Sequence, residues 1–310
     1  MGAGDTRWRG QPGRVEVWYA TFTGGWIHYE LVSPASDADG AYGHGWVAMF
    51  PPGRAPAVAR FGPSSVLVGS EPWFAAGPYR ADAGTLAGDT WSLTYTTDAP
   101  PLWTFPRWAW ERESLPGAQV VVSPSATFDG WVEVGGERFE VRAEPGALAH
   151  IYGHGNAQRW AWLHADLGDG DVLEIVAAVS RRPALRRLPP LALVQLRAGG
   201  EDWPRDPLAV APLFRTRIGL PRWSVKGTVG RRRLRVDVNV PPAASVTLDY
   251  TDPDGAAAEC SNSERADARI RVQRWARGRG WRTEREWNLA GTAHAEVGLR
   301  DEVGLRDERG

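Results

Sequence analysis

Glycine and proline interrupt this chain at intervals too short for a long helix to survive between them. Of 310 residues, 36 are Gly and 24 are Pro. Gly in a helix costs backbone entropy, and Pro removes an N–H and clashes with the preceding turn. Between the breaks lie short stretches of strand character at 15–23, 25–32, 45–50, 65–68, 90–97, 119–123, 127–134 and 137–143. The second half repeats the pattern at 172–180, 191–197, 223–229, 234–240, 245–250, 268–275 and 282–289. Asp129-Gly130, Gly135-Gly136, Asp169-Gly170 and Asp254-Gly255 supply turn chemistry between such stretches. The pattern predicts an all-β, antiparallel chain with little helix. Open sheet edges invite aggregation, so each half is expected to close into a barrel.

A chain of this length should hold two domains, each large enough to bury a core. The expected division is 1–155 and 156–297, with loops over the barrel mouths at 99–116, 181–190 and 203–221. The remainder, 298–310, is expected to be a disordered tail, because the hexapeptide at 296–301 recurs verbatim at 302–307 and a charged duplicate builds no core.

Lys+Arg 36 against Asp+Glu 37 gives net charge −1, which recruits neither nucleic acid nor an anionic membrane by bulk charge. Cys260 stands alone, so no intrachain disulfide is expected, and no Cys/His spacing matches a zinc cage. Residues 1–14 are polar, with no apolar run for a signal peptide, and no transmembrane segment is expected. The expected compartment is the cytoplasm.

The candidate site lies mid-chain. From His150 to Asp166 every second residue is polar or aromatic: His150, Tyr152, His154, Asn156, Gln158, Trp160, Trp162, His164 and Asp166. An extended chain directs alternate side chains to one side, so a strand–turn–strand here would line one face with imidazoles, indoles and a carboxylate. A solvated face is the alternative, but such faces carry Lys, Glu, Thr and Ser more than Trp and His. His150 and His154 would stand ~13 Å apart on a strand, and no metal site is expected. Glu16, Glu30 and Glu174 sit in apolar strands, where a carboxylate facing a dry lumen would be a second candidate acid. The basic run Arg231-Arg232-Arg233-Leu234-Arg235 reads as solvated edge charge. Neither a nucleophile elbow nor a phosphate loop is present.

Several stretches together resemble one family. They are 15–22 with Gly25-Trp26-Ile27-His28-Tyr29, Trp91-Ser92-Leu93, 130–136, and above all Trp160-Ala161-Trp162-Leu163-His164-Ala165-Asp166. This set resembles the two-domain lipocalin-like superfamily of tocopherol cyclases, carotenoid 1,2-hydratases and Diels–Alder-type fungal cyclases. The resemblance implies two packed calycin-like barrels and a lipophilic substrate near their junction. His164 and Asp166 stand where the family more often has Gln and Asn. Residues 152–159 lack the acidic residue that tocopherol cyclases carry before this strand, so that proton donor is not carried over.

The expected function is binding of a terpenoid, polyene or polyketide-like molecule, with cofactor-independent cyclisation, hydration or isomerisation by proton transfer. His154 and His164 are the candidate acid or base, with Asp166 supporting His164, because imidazole exchanges protons near neutral pH. Trp18, Tyr29, Trp91, His150, Tyr152, Asn156, Trp160 and Trp162 are the candidate ligand contacts, since aromatic faces stabilise developing positive charge. A structural role for each imidazole stays open. So do a non-catalytic carrier with the same cavity, a carbohydrate binder with Trp platforms, and the oligomeric state.

Overall fold

The computed structural model describes residues 2–37, 40–67 and 72–300. The first ten strands are β1 (Arg14–Phe22), β2 (Gly25–Ser33), β3 (Tyr42–Met49), β4 (Ala57–Ser65), β5 (Phe74–Ala76), β6 (Tyr79–Asp82), β7 (Thr85–Gly88), β8 (Trp91–Thr96), β9 (Gly117–Val134) and β10 (Glu137–Gly153). They form one antiparallel sheet in the order β4-β3-β2-β1-β10-β9-β8-β7-β6-β5. A bridge between Val66 and Ala76 brings its two edges together and rolls it into a barrel.

The second sheet takes β11 (Arg159–Gly168), β12 (Asp171–Val179), β13 (Leu191–Ala198), β14 (Glu201–Trp203), β15 (Phe214–Arg217), β16 (Arg222–Val229), β17 (Arg232–Asn239), β18 (Val246–Thr251), β19 (Ala257–Ala276) and β20 (Gly280–Arg300). Its order is β14-β13-β12-β11-β20-β19-β17-β16-β15, with β18 paired to the first part of β19. It curls until β13 and β15 approach across the open side. The all-β, two-sheet architecture expected from the sequence is therefore present. The helices are short, as at Arg107–Glu111 inside the proline-rich loop, and none is long and apolar enough to cross a membrane.

Each sheet encloses its own core. Trp18, Ala20, Phe22, Tyr29, Phe74, Trp91 and Phe128 fill the first; Leu163, Ile175, Val194, Val236 and Ile270 belong to the second. A third apolar cluster holds residues of both sheets, among them Tyr19, Trp26, Trp46, Trp160, Trp162, Leu248 and Tyr250. Here the outside of one sheet packs on the outside of the other. Strands at this seam are covered on both faces, so all nine residues of β2 are buried, as happens when a sheet has no wet side. β19 and β20 reach the seam at one end only: register shifts at Ser263/Ala266 and Ala266/Ala268 bend the pair, and the rest becomes an outer wall.

Two local expectations are corrected. Asp129-Gly130 is not a hairpin turn but lies within β9. The Asp129 side chain accepts a hydrogen bond from the N–H of Ala143, where the β9–β10 register shifts. A Cβ on Gly130 would stand 2.1 Å from the Ser92 carbonyl oxygen, so glycine serves a close strand approach there. Residues 298–300, expected in a tail, belong to β20: Gly298 pairs with Trp160 and with Cys260, and Arg300 ties back to Asp252 at 2.7 Å. The duplicate hexapeptide and the rest of the expected tail, 301–310, lie outside the described residues.

A Cβ on Gly298 would lie 2.0 Å from the Trp160 ring. Gly298→Ala should therefore cost about 1–3 kcal/mol by overpacking and alter tryptophan emission. Denaturant unfolding of the purified variant checks this, and parent-like stability would remove 298–300 from the strand.

Candidate active site

The central motif does not present one face. β10 ends at Gly153 and β11 begins at Arg159 in the other sheet, so the parity of side chains is reset between them. His150 and Tyr152 come from β10, while Trp160, Trp162 and His164 come from β11 and point into the seam.

His150 lies inside the first barrel with Glu16, both fully buried, with Nε2 2.7 Å from Oε1. Its Nδ1 is 2.7 Å from the Ala3 carbonyl and must donate there, which leaves one proton for Nε2 and Oε1 to share. The ring stacks on Trp18 at 4.7 Å. The Glu16 carboxylate also accepts the N–H groups of Arg7 and Trp8, at 2.6 and 2.9 Å. Trp18 donates to the Gly4 carbonyl at 2.9 Å, so the segment before β1 covers this end of the barrel. Trp91 donates to the Tyr29 hydroxyl at 2.6 Å. Trp18, Tyr29 and Trp91 thus form packed, hydrogen-bonded core.

The crossing residues serve the connection. His154 Nδ1 accepts from Arg14 at 2.9 Å, and burial together with the Arg14 charge lowers its pKa. Tyr152, at the same rim, accepts from Arg14 at 3.1 Å. Asn156 donates its N–H and side-chain amide to Asp252, at 2.9 and 2.8 Å. The structure does not bring His154 together with His164.

At the seam, His164 and Glu174 are neighbours in the β11–β12 ladder and both fully buried, with Nδ1 2.9 Å from Oε2. The other carboxylate oxygen of Glu174 accepts from Trp162 and, across the seam, from Gln119 of β9. A second imidazole–carboxylate pair, His294 with Glu264, is linked to Thr21 and Tyr19 of β1; the Tyr19 hydroxyl stands 3.1 Å from Glu264 and Thr21 Oγ1 2.7 Å from His294. Glu296 accepts from Trp160 at 2.9 Å and Asn262 at 3.0 Å. On the β2–β3 side, Glu30 faces His28 at 3.3 Å and His44 at 3.7 Å. Asp166 does not support His164. Its carboxylate accepts the N–H of Gly168 at 2.9 Å in the hairpin turn, because a register shift between Asp166 and Gly168 ends the ladder there.

A profile of the tocopherol cyclase-like family matches residues 74–299. The chain belongs to that family. The resemblance read from the Trp-x-Trp strand is borne out. The chain is 49% identical over 305 residues to the uncharacterized protein Rv0493c of Mycobacterium tuberculosis (strain ATCC 25618 / H37Rv), covering 95% of this chain and 89% of the relative. Among solved structures, CghA superposes with a TM-score of 0.56 at 13% identity, covering 93% of this chain and 88% of that one. A structure from Nitrosomonas europaea described as AttH gives a TM-score of 0.49 at 14% identity, covering 92% of each chain. At 13% identity the likeness to CghA speaks for the fold alone.

In this tocopherol cyclase-like protein the seam gathers more acid–base groups than the sequence reading marked. Glu174 was a candidate; Gln119, Glu264, His294 and Glu296 were not. The signal for the last two was present in Ala293-His294-Ala295-Glu296-Val297, a polar/apolar alternation like that of β11. A cavity of about 220 Å³, bordered by Leu196, Trp203, Val272, Arg232 and Arg285, opens at the mouth of the second sheet and not at the seam. That is below the usual size of a ligand pocket, about 300–1,000 Å³, and its rim arginines are engaged by Glu284 and Asp171.

Removing the Glu174 carboxylate leaves three buried donors unpaired, so Glu174→Ala should cost about 3–5 kcal/mol. Asp166→Ala should cost about 1 kcal/mol, the value of one turn hydrogen bond. Chemical denaturation of the two variants separates these assignments, and equal losses would contradict them. Burial raises the Glu296 pKa, so the folded state holds that proton more tightly than the unfolded chain. The stability this gives is complete below the ordinary glutamate value of about 4.3 and is lost as pH rises through the raised value. Glu296→Gln, which keeps an acceptor for Trp160, should gain on the parent in melting temperature as pH rises from about 4.3. A constant difference across that range would refute the assignment.

Proposed function

We propose that the protein binds a lipophilic, polyene- or terpenoid-like molecule at the seam and moves a proton to or from it, giving cyclisation, hydration or isomerisation without a cofactor. One observation carries this reading. The imidazole of His164 is held through Nδ1 by Glu174, while its Nε2 is buried without a hydrogen-bond partner. A carboxylate that fixes one ring nitrogen sets the tautomer and leaves the other free for general acid–base work. An unpaired buried nitrogen also costs about 1–3 kcal/mol, which a ligand group placed there would recover.

The surroundings suit a cationic intermediate. Trp162 stacks with His164 at 6.4 Å and meets Tyr19 edge-on at 5.3 Å. Such faces are worth ~1–2 kcal/mol each toward a desolvated cation. His164 is assigned the proton transfer, Glu174 its orientation, and Trp160 and Trp162 the ligand contact. Because these side chains are buried, a ligand reaches them through rearrangement of the seam. The membership in a tocopherol cyclase-like family supports this class of substrate and chemistry.

The test is a panel of terpenoids, polyenes and fatty acids, read by tryptophan quenching and melting temperature, followed by product analysis for any ligand that binds. Quenching should weaken in Trp160→Ala/Trp162→Ala. His164→Gln should lower turnover ~10²–10⁴-fold while affinity changes little. If no member of the panel shifts emission or melting, the binding reading fails; if a ligand binds without turnover, the protein is a carrier.

A further inference from the structure

The outer wall of the second sheet, on β15–β17 and the parts of β19 and β20 beyond the seam, carries a concentration of positive charge. Leu234, Val236, Ile270 and Val272 point into the core, so strand alternation sends Arg233, Arg235, Arg269 and Arg271 outward. Lys226, opposite Arg235, extends the row onto β16, and Arg215, opposite Lys226, onto β15. The carboxylates on this wall are outnumbered. Arg269 and Arg271 share the single carboxylate of Glu286, each at 2.9 Å, and Asp237 serves Arg235. Among the described residues no carboxylate pairs with Lys226 or Arg233, nor with Arg231, Arg277 and Arg279 on the adjoining turns.

The wall ends in an aromatic tip. Trp275 and Trp281 face each other across the β19–β20 hairpin at 5.6 Å, and Trp275 is 45% exposed. Arg233 lies over the Trp281 ring at 4.2 Å. Leu213, 53% exposed, precedes the Phe214–Gly227 pair at the same end of the sheet. Arginines around an exposed indole and an exposed leucine match the interface of a bilayer, where indoles settle at the headgroups and cations meet anionic lipid. A single-stranded nucleic acid would need open ring faces for stacking, and the Trp281 face is taken by Arg233.

We propose that this wall and its Trp275 tip dock the protein on the surface of a membrane rich in anionic phospholipid. The inference rests on the charge distribution and is independent of the function assigned to the seam.

Co-sedimentation of the full chain with phosphatidylcholine vesicles, with and without about 30% phosphatidylserine, tests it. The protein should sediment with the anionic vesicles at about 50 mM salt, be released at about 500 mM as screening shortens the Debye length, and ignore phosphatidylcholine alone. Arg277→Glu/Arg279→Glu, on an exposed turn where folding is not at stake, should weaken partitioning about thirtyfold, from a fewfold loss per cation. Trp275→Ala should weaken it severalfold, and Arg54→Glu on the first sheet should leave it unchanged. Absence of the parent from anionic vesicles at low salt, equal binding by the turn variant, or tighter binding of a 20-nucleotide single strand than of vesicles would each overturn the proposal.

Discussion

Burying a carboxylate between two protein surfaces costs several kcal/mol unless donors surround it. The seam of this protein contains four, with Glu30, Glu174 and Glu264 buried and Glu296 partly buried. Two of them draw donors from the opposite sheet: Glu174 from Gln119, and Glu264 from Tyr19 and Thr21. Sliding one sheet past the other by a single residue would carry those donors about 3.3 Å along the seam, out of hydrogen-bond reach, and strip both carboxylates of their cross-seam partners. Apolar contact at the seam favours association in many registers, whereas these hydrogen bonds are compatible with one. The docking of the two sheets, and with it the placement of His164 and Trp162, depends on that constraint.

The same constraint explains why β1, β2 and β11 hold such different side chains on their two faces. Along β1, Trp18 and Glu16 enter the first barrel while Tyr19 and Thr21 enter the seam. Both faces are dry, so every polar atom on either must find a partner within the protein. The first barrel does this with the segment before β1, whose backbone N–H groups satisfy Glu16 and whose carbonyls satisfy His150 and Trp18. The seam does it with paired side chains. Among the described residues of the seam, Nε2 of His164, Nε2 of His28 and Nε1 of Trp26 make no hydrogen bond, and unmatched buried groups in otherwise satisfied networks concentrate where a protein has work to do.

The fold was legible because Gly and Pro exclude long helices and because alternation is a local property: Trp18 against Tyr19, or Leu163 against His164, can be sorted by parity alone. The site was legible only in part. Parity holds within one strand, and the reading of 150–166 carried it across 154–158, where the chain leaves one sheet for the other. That placed His150 and His164 on one face when they lie in separate environments. Glu174 was visible as a carboxylate in an apolar run, but its pairing with His164 depends on the register set by the bulged turn after Asp166, which no residue type announces. Glu264 and His294 come together through β19 and β20, far from β11 in sequence, and their partners on β1 are further still. Such long-range register is fixed by packing.

Net charge is likewise an average into which position does not enter. A formal charge of −1 says what a distant partner senses, since beyond a Debye length of about 8–10 Å opposite charges on one surface are screened and average out. At contact the distribution counts. Here the strands that face the seam carry their charges buried and paired, while β15–β17 and the far halves of β19 and β20 carry arginines outward, two of them to one glutamate. The bend that lets β19 and β20 serve the seam at one end also turns the other end into this wall. One pair of long strands therefore joins a buried acid–base cluster to an exposed basic surface, and the −1 total conceals both.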